Sequence, residues 1–506
     1  MSMPAERLTL APNLSQLLQG MAAAPPIAVA GIASDSRRLH AGDVFLASRG
    51  TRSHGLDYVS EALANKVAAI VWEPAEGRSF NPPDGVTAVP VEDLSRRLGT
   101  IANRWFDLPS ASVRVAGVTG TNGKTTVAYL LAQCLQKLGQ PAAYLGTLGA
   151  GIEEIDAASG LTTPDCVEVH RQLAEFRDSG ATHVAMEVSS HGLSQHRVDG
   201  VRFDAALFTN LSRDHIDYHG SMKEYGDTKA RLFLEHEPAH RVISVDSEFG
   251  AVLAARCGDS AVVTASDDTH DAGTHRFVFA SGTQALPTGA LVDIRSSWGT
   301  GRCRLPLVGA FNVANAVNVI ALLLSYDIEF SDVLELMEGI TAPPGRMQRV
   351  AAGSNEPSPQ VFVDYAHTPA ALQAALESLR PHCKGTLWCV FGCGGDRDSG
   401  KRPEMGEVAS SLADHVIITS DNPRSESPSA IIDDIRAGAG QDAAVIEDRA
   451  AAIAWAIGHA GVDDIVLVAG KGHESYQIIG NERLVFSDYV VAKSHLDTRG
   501  QGRAPQ

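Results

Sequence analysis

The chain has 506 residues, 44% of them hydrophobic and 20% charged, the composition of a globular protein with a sizeable core and length for roughly three domains of about 150 residues. A formal net charge of -18 argues against nucleic acid as a partner, because non-specific affinity for it comes from cationic neutralisation of phosphates. The seven cysteines (Cys134, Cys166, Cys257, Cys303, Cys383, Cys389, Cys393) form no CxxC pair, the N-terminus lacks a signal-peptide pattern, and no run of about 18 apolar residues occurs; a cytoplasmic chain that does not insert in a membrane is expected.

Residues 1–108 read as a small α/β domain. A turn at Ala41 and Gly42 precedes a strand over Val44–Ala47 and a glycine loop, with Ser36, Arg37, Arg38, Arg49 and Arg52 close in sequence; taken alone these are surface residues. Ala64–Trp72 reads as a buried strand, and LSRRLGTIANRWF as an amphipathic helix leading to a linker at Leu108 and Pro109.

Residues 109–343 open with VRVAGVTGTNGKTTVAYLLAQCLQKL from Val113 to Leu138. Val113, Val115 and Val118 predict a strand; Gly117, Gly120 and Gly123 a tight turn; and Val127, Leu130, Leu131, Cys134, Leu135 and Leu138 the buried stripe of a helix that stops at Gly139. Strand, glycine turn, Lys124, Thr125 and helix make a phosphate cradle: backbone N–H groups and the helix N-terminus face the phosphates, Lys124 reaches the terminal ones and Thr125 can hold Mg²⁺. The strict P-loop spelling would put glycine at position 118, where Val118 stands. Further on, the buried strand Thr182–Val188 carries Glu187 at its end, where an acid beside a phosphate loop suits Mg²⁺ positioning. The loop TNLSRDHIDYHGS after Ala205–Asn210 holds Asp214, His215, Asp217 and His219, which suit either metal ligation or capping of turns. Tyr225–Phe233 is helical and carries Lys229, by default a solvated helix lysine. Residues 259–308 read as a meander of short strands before the helix of LVGAFNVANAVNVIALLLSY.

Residues 344–495 alternate cleanly. Strands are predicted at Gln360–Val363, Thr386–Phe391, His415–Thr419, Ala443–Ile446 and Ile465–Val468, with helices such as Thr368–Leu379 between them, the pattern of a doubly wound parallel sheet whose ligands lie beyond the C-terminal strand ends. Four polar clusters fall at such ends: DYAHTP from Asp364, GCGGDRDSGKRP from Gly392, SDNPRSE from Ser420 and GKGHESYQ from Gly470. Cys389 and Cys393 read as core and turn residues. Residues 496–506 read as a disordered tail.

GTNGKTT, MEVSSHGL, TNLSRDHIDYHGS, GAFNVANA, PGRMQRV, DYAHTP and GKGHE together resemble, in order and over nearly the whole chain, the blocks of the Mur ligases, ATP-dependent amide ligases of peptidoglycan precursor synthesis. The resemblance implies three α/β domains: a small uridine-nucleotide domain (1–108), a central P-loop ATPase domain with a mostly parallel sheet (109–343) and a Rossmann-like doubly wound domain that takes the amino acid (344–495). Asp421-Asn422-Pro423-Arg424 resembles the motif of members that add meso-2,6-diaminopimelate to UDP-N-acetylmuramoyl-L-alanyl-D-glutamate, as against those that add lysine. The extra carboxylate suits a charge-assisted pair with Arg424, and Arg397 supplies a second cation.

Carried over residue by residue, the resemblance implies ATP at Gly120, Thr121, Asn122, Gly123, Lys124, Thr125 and Thr126, with Asn312, Arg346, Asp364 and His367 around adenine, ribose and phosphates. It implies two Mg²⁺ held by Thr125, Glu187, His215 and Lys229, the last as a carbamate (N6-carboxylysine), and catalytic roles for Lys124, Lys229, His215 and Glu187. Ser36, Thr162, Thr163, Ser189, Gln195 and Arg197 would bind the UDP-muramoyl dipeptide, and Arg397, Asp421, Asn422, Pro423, Arg424, Gly470 and Glu474 diaminopimelate. After Gly50 the sequence reads TRSHGLDY, a departure from the family's DGH-type loop ending. A monomer with small-molecule substrates is expected. The alternatives are a lysine-adding or folate polyglutamate ligase of related build, or a P-loop ATPase switch that needs no amino acid.

Overall fold

Short, almost wholly buried runs build the central strands of the parallel sheets in the computed structural model, which describes residues 11–51, 53–157, 160–353 and 357–499. The chain divides into two units, Met1–Val263 and Thr264–Gln506.

The first unit begins with a four-stranded parallel sheet, β1 (Gly31–Ala33), β2 (Asp43–Ala47), β3 (Ala69–Trp72) and β4 (Thr87–Pro90), in that order. Val44, Leu46, Ala69 and Val71 face one core with the helix Leu94–Trp105, while Phe45, Ala47 and Ile70 face another, as a period of two requires. The strand expected over Ala64–Trp72 is shorter: Ala64 ends the helix Val59–Ala64, and Lys66 takes the left-handed conformation (φ 55°) that turns the chain before β3.

A larger sheet follows, built of β5 (Arg114–Thr119), β6 (Ala142–Gly146), β7 (Gly149–Gly151), β8 (Asp156–Ala157), β9 (His183–Glu187), β10 (Phe203–Phe208), β11 (His240–Ser244) and β12 (Ala261–Ala265), ordered β12-β11-β10-β5-β9-β6-β7-β8. β5 is central, parallel to both β10 and β9, and all but its first residue are buried. A central parallel strand is the natural seat for a phosphate loop, because its C-terminal end opens between two others.

In the second unit, β13 (Arg276–Leu286), β14 (Gly289–Ser296) and β15 (Gly299–Leu305) form the expected antiparallel meander, followed by the buried helix Ala310–Ser325. The last sheet contains β16 (Gln348–Arg349), β17 (Gln360–Asp364), β18 (Leu387–Phe391), β19 (His415–Ile418), β20 (Ala444–Val445) and β21 (Ile465–Ala469), ordered β16-β17-β21-β18-β19-β20 and parallel except for β16. Phe362, Cys389, Phe391, Ile418 and Leu467 pack on one face with Leu372, Met405 and Ile432 of the helices; Val363, Trp388, Val390, Ile417 and Val466 pack on the other with Ile453 and Leu496. β21, last in sequence, inserts between β17 and β18, so the chain reverses direction across the sheet there. A crevice opens at the C-terminal ends of strands at such a point. A hairpin, β22 (Tyr476–Ile479) and β23 (Glu482–Val485), comes directly after.

The expected order limit at residue 495 is corrected: the helix Asp488–Arg499 continues through it, because Leu496 is buried against the sheet. The rest of the expected tail, 500–506, lies outside the described residues. Among the described residues no helix is long and apolar enough to cross a membrane.

Candidate functional site

In the first unit the loop between β5 and the helix Lys124–Lys137 is shaped by glycine. Gly120 has φ +149°, and a Cβ there would stand 1.9 Å from Thr209 Oγ1; Gly123, at φ +86°, caps the helix. The loop is pinned by Thr121 N–H to the Asn210 carbonyl (2.9 Å) and Asn122 N–H to Asn210 Oδ1 (3.0 Å). Lys124 Nζ donates to the carbonyls of Gly120 (3.0 Å) and Thr121 (2.8 Å), folding its ammonium over the loop. Thr126 is buried one residue beyond Thr125.

Glu187, buried at the end of β9, accepts from Thr125 Oγ1 at 3.0 Å, Thr147 N–H at 2.9 Å, Thr147 Oγ1 at 3.2 Å and the Tyr144 hydroxyl. A hydroxyl and a carboxylate side by side at a phosphate loop are hard oxygen donors of the kind Mg²⁺ takes, so this pair fits the cation. Lys229 is not on a solvated face. It is 1% exposed, donates to the Gly120 carbonyl at 2.8 Å and lies 4.4 Å from the centre of the Tyr225 ring. Burial, and secondarily the charge of Lys124, push its pKa well below the usual lysine value, while burial raises the Tyr225 phenol to about 12.

His215, exposed, lies 6.1 Å from Tyr225 and 4.7 Å from His191 between ring centres. Asp214 and His219 serve local structure: Asp214 Oδ1 accepts from His215 N–H at 2.9 Å, and His219 Nε2 lies 3.0 Å from Ser190 Oγ. Among the described residues, no three His, Cys, Asp or Glu side chains are grouped to hold a metal. Four of the expected dipeptide ligands form one chain of bonds: Ser189 N–H to Thr163 Oγ1 (3.0 Å), Arg197 Nη1 to the Thr163 carbonyl (2.8 Å) and Arg197 Nη2 to Gln195 Oε1 (2.6 Å). Thr162 Oγ1 is 3.1 Å from Thr147 Oγ1, next to Glu187. Ser36 stands apart from them, buried and bonded to Glu61.

In the second unit the four strand-end clusters converge. At the end of β17, Asp364 accepts from the N–H groups of Met347 (2.7 Å) and Ala366 (2.8 Å), and Arg346 lies 4.4 Å above the Tyr365 ring. Tyr365 also touches His367 (4.6 Å) and His473 (5.5 Å) by ring centres. Burial, with Arg346 nearby, lowers His473 to about 4. Asn312 spends its bonds locally, on the Val308 carbonyl and Asn315.

Beyond β19 and β21, Asp421, Asn422 and Pro423 are buried. Gly470 (φ +115°) leaves room for Asp421, whose Oδ2 a Cβ would approach to 2.7 Å. Desolvation raises the Asp421 pKa against the pull of Arg449 and Lys471. Asn422 Nδ2 donates to Glu474 Oε2 at 2.8 Å. Arg424, at φ +52°, donates from Nη1 to the Gly395 carbonyl at 2.8 Å, and its backbone pairs with Ile478 and Gly480 of the hairpin at 3.1 and 2.7 Å. Arg397 is exposed on the loop after β18.

Sequence reasoning missed several partners. Tyr144 and Thr147 brace Glu187, and Tyr218 accepts from Gln195 Nε2 at 3.1 Å. Lys471 is fully buried within GKGHE, a motif that pointed to it. Arg402 ties Glu426 to Asp434, and Arg449 binds Asp488 through two bonds of 2.7 and 2.8 Å; neither carries a local signal.

Three family models match the chain: Mur ligase family, catalytic domain over 28–106; Mur ligase middle domain over 118–323; and Mur ligase, glutamate ligase domain over 345–472. The UDP-N-acetylmuramoyl-L-alanyl-D-glutamate--2,6-diaminopimelate ligase of Alkalilimnicola ehrlichii is 47% identical over 469 residues, 91% of this chain and 93% of that one. The ligase of the same name from Coxiella burnetii is 43% identical over 496 residues, 96% and 99% of the two chains. A solved structure bearing that ligase name matches at TM-score 0.70 and 31% identity, covering 97% of this chain and 99% of its own.

Proposed function

The chain belongs to the Mur ligase family, and on that premise we propose that it is an ATP-dependent amide ligase that adds meso-2,6-diaminopimelate to UDP-N-acetylmuramoyl-L-alanyl-D-glutamate in peptidoglycan precursor synthesis, as a cytoplasmic monomer. The observation that carries the amino-acid assignment is the Asp421–Arg424 loop, in which buried Asn422 holds the Glu474 carboxylate at 2.8 Å and half-buried Arg424 brings a guanidinium to the Gly395 carbonyl at 2.8 Å. Diaminopimelate has a carboxylate and an ammonium at each end; lysine lacks one carboxylate. A pocket built to pair that carboxylate with Arg424, and with Arg397 as second cation, would leave cations unpaired around lysine.

The glycine loop, Lys124 and the helix N-terminus take the ATP phosphates. Thr125, Glu187, His215 and a carbamate on Lys229 would hold Mg²⁺, which when bound neutralises the phosphate charge that repels the attacking carboxylate. Supporting the carbamate, burial favours the unprotonated amine of Lys229, the form that adds to carbon dioxide. Thr162, Thr163, Ser189, Gln195 and Arg197 orient the dipeptide, and Ser36 its uridine end. The D-glutamyl carboxylate takes the γ-phosphoryl group and releases ADP. The amine of diaminopimelate then attacks the acyl phosphate, and the tetrahedral adduct expels phosphate to leave the amide.

Phosphate release from ATP with the UDP-muramoyl dipeptide, compared with diaminopimelate, lysine and no amino acid, tests the assignment in wild type and Arg424→Ala. Release that depends on diaminopimelate and is lost in the variant is expected. Equal use of lysine would place the chain among lysine-adding ligases, and turnover without either would support an ATPase switch instead.

A further inference from the structure

Lys471 follows the end of β21 and is fully buried, yet it is not spent on a distant ion pair. Its Nζ lies 3.1 Å from Asn422 Oδ1 and 3.1 Å from Glu474 Oε2, and 5.6 Å from the centre of the Tyr476 ring. The Asn422 amide has one orientation open to it. Oδ1 already accepts the N–H of Ile478 at 3.0 Å, and Lys471 has only hydrogens to offer, so the NH₂ end must face Glu474 Oε2, at 2.8 Å. Glu474 Oε2 therefore accepts from both Asn422 and Lys471, while Oε1 takes part in neither bond.

We propose that Lys471 is a positioning residue for the incoming amino acid: together with Asn422 it clamps one oxygen of Glu474 and so directs the other toward the ligand's ammonium. The inference rests on the reading of Glu474 as that ammonium's partner. A nearby positive charge weakens the raw attraction of Glu474 for a cation, so what Lys471 supplies is orientation. Without it the carboxylate can rotate about its last torsion, and the Asn422 amide loses one of the two donors that fix its sense. Each bond to a charged group is strong enough that losing the clamp is felt in the amino-acid step.

The test uses the full-length enzyme and steady-state kinetics with diaminopimelate, ATP and the UDP-muramoyl dipeptide each varied in turn, in Lys471→Met, Lys471→Arg, Glu474→Gln and Lys471→Met/Glu474→Gln. Lys471→Met is expected to lower kcat/KM for diaminopimelate at least about tenfold with KM for ATP within about twofold of wild type, and Lys471→Arg to recover most of the loss. Because Lys471 acts through Glu474, the double variant is expected to be no worse than the poorer single one. Losses that multiply, a parallel rise in KM for ATP, or an unchanged kcat/KM in Lys471→Met alongside an impaired Glu474→Gln would overturn the role of Lys471 alone. An unimpaired Glu474→Gln would instead overturn the ammonium reading beneath it. Lys471→Gln, which keeps a neutral donor, carries the same comparison if the methionine variant does not fold.

Discussion

Lys124 and Lys229 donate to the same carbonyl oxygen, that of Gly120, at 3.0 and 2.8 Å, although 105 positions separate them in the chain. Burial, and secondarily the charge of Lys124, make Lys229 the harder of the two to protonate. Its folded pKa lies well below the ordinary 10.5. Between those two values the unfolded chain binds a proton that the native chain does not, so Lys229 makes stability rise with pH through that window, up to the unfolded pKa. In carbon-dioxide-free buffer, Lys229→Met is expected to unfold at higher urea than wild type, with a gap that shrinks as pH rises from neutrality toward 10.5. Parallel urea profiles at all pH values would contradict the burial argument.

Gly120 is the tightest point of the phosphate loop. Alanine there meets Thr209 Oγ1 at 1.9 Å and must adopt φ +149°, a conformation costing about 1–3 kcal/mol for a residue with a side chain. Gly120→Ala is expected to lose nucleotide binding and to lower the melting temperature by several degrees, read by calorimetry with and without ATP.

Arg449 and Asp488 form a fully buried pair, and Arg449 also donates to the carbonyls of Ser420 (3.3 Å) and Ala469 (2.9 Å), the residues just before Asp421 and Gly470. Removing one partner leaves an unpaired buried charge, so Arg449→Met is expected to destabilise by about 3–5 kcal/mol in guanidinium unfolding. The double variant Arg449→Met/Asp488→Leu is expected to recover part of that loss, since it removes both charges together.

Burial raises the thiols of Cys134, Cys303, Cys389 and Cys393 to about 12, leaving almost no thiolate. Cys257 and Cys383 are only partly buried. Brief treatment of the native protein with iodoacetamide at about pH 8, followed by peptide mass spectrometry, is expected to label these two first and the five buried cysteines, Cys166 among them, only after unfolding.

Much of the site could be read locally. The glycine turn between β5 and its helix was legible because φ > 0 and a 3.6-residue stripe are properties of a few consecutive residues. The same holds for the last sheet, whose alternation of short apolar strands with helical segments placed all four polar clusters at strand ends. The misreading of Ala64 as strand came from the same source, since a short apolar run does not distinguish a helix end from a strand.

By itself, then, the sequence determined the phosphate loop, the doubly wound sheet and the family blocks, all written in short-range pattern. Only the tertiary structure decided which distant groups meet: Thr125 with Glu187, 62 positions on; Asn422 with Glu474, 52 on; and Lys229 with Gly120, 109 back. It also turned Lys229 from a lysine with the spacing of a solvated helix face into a buried amine, and made Lys471 and Arg449 the braces of the strand ends. Those outcomes depend on strand order and on the water that packing excludes, and neither is encoded in the spacing of neighbouring residues.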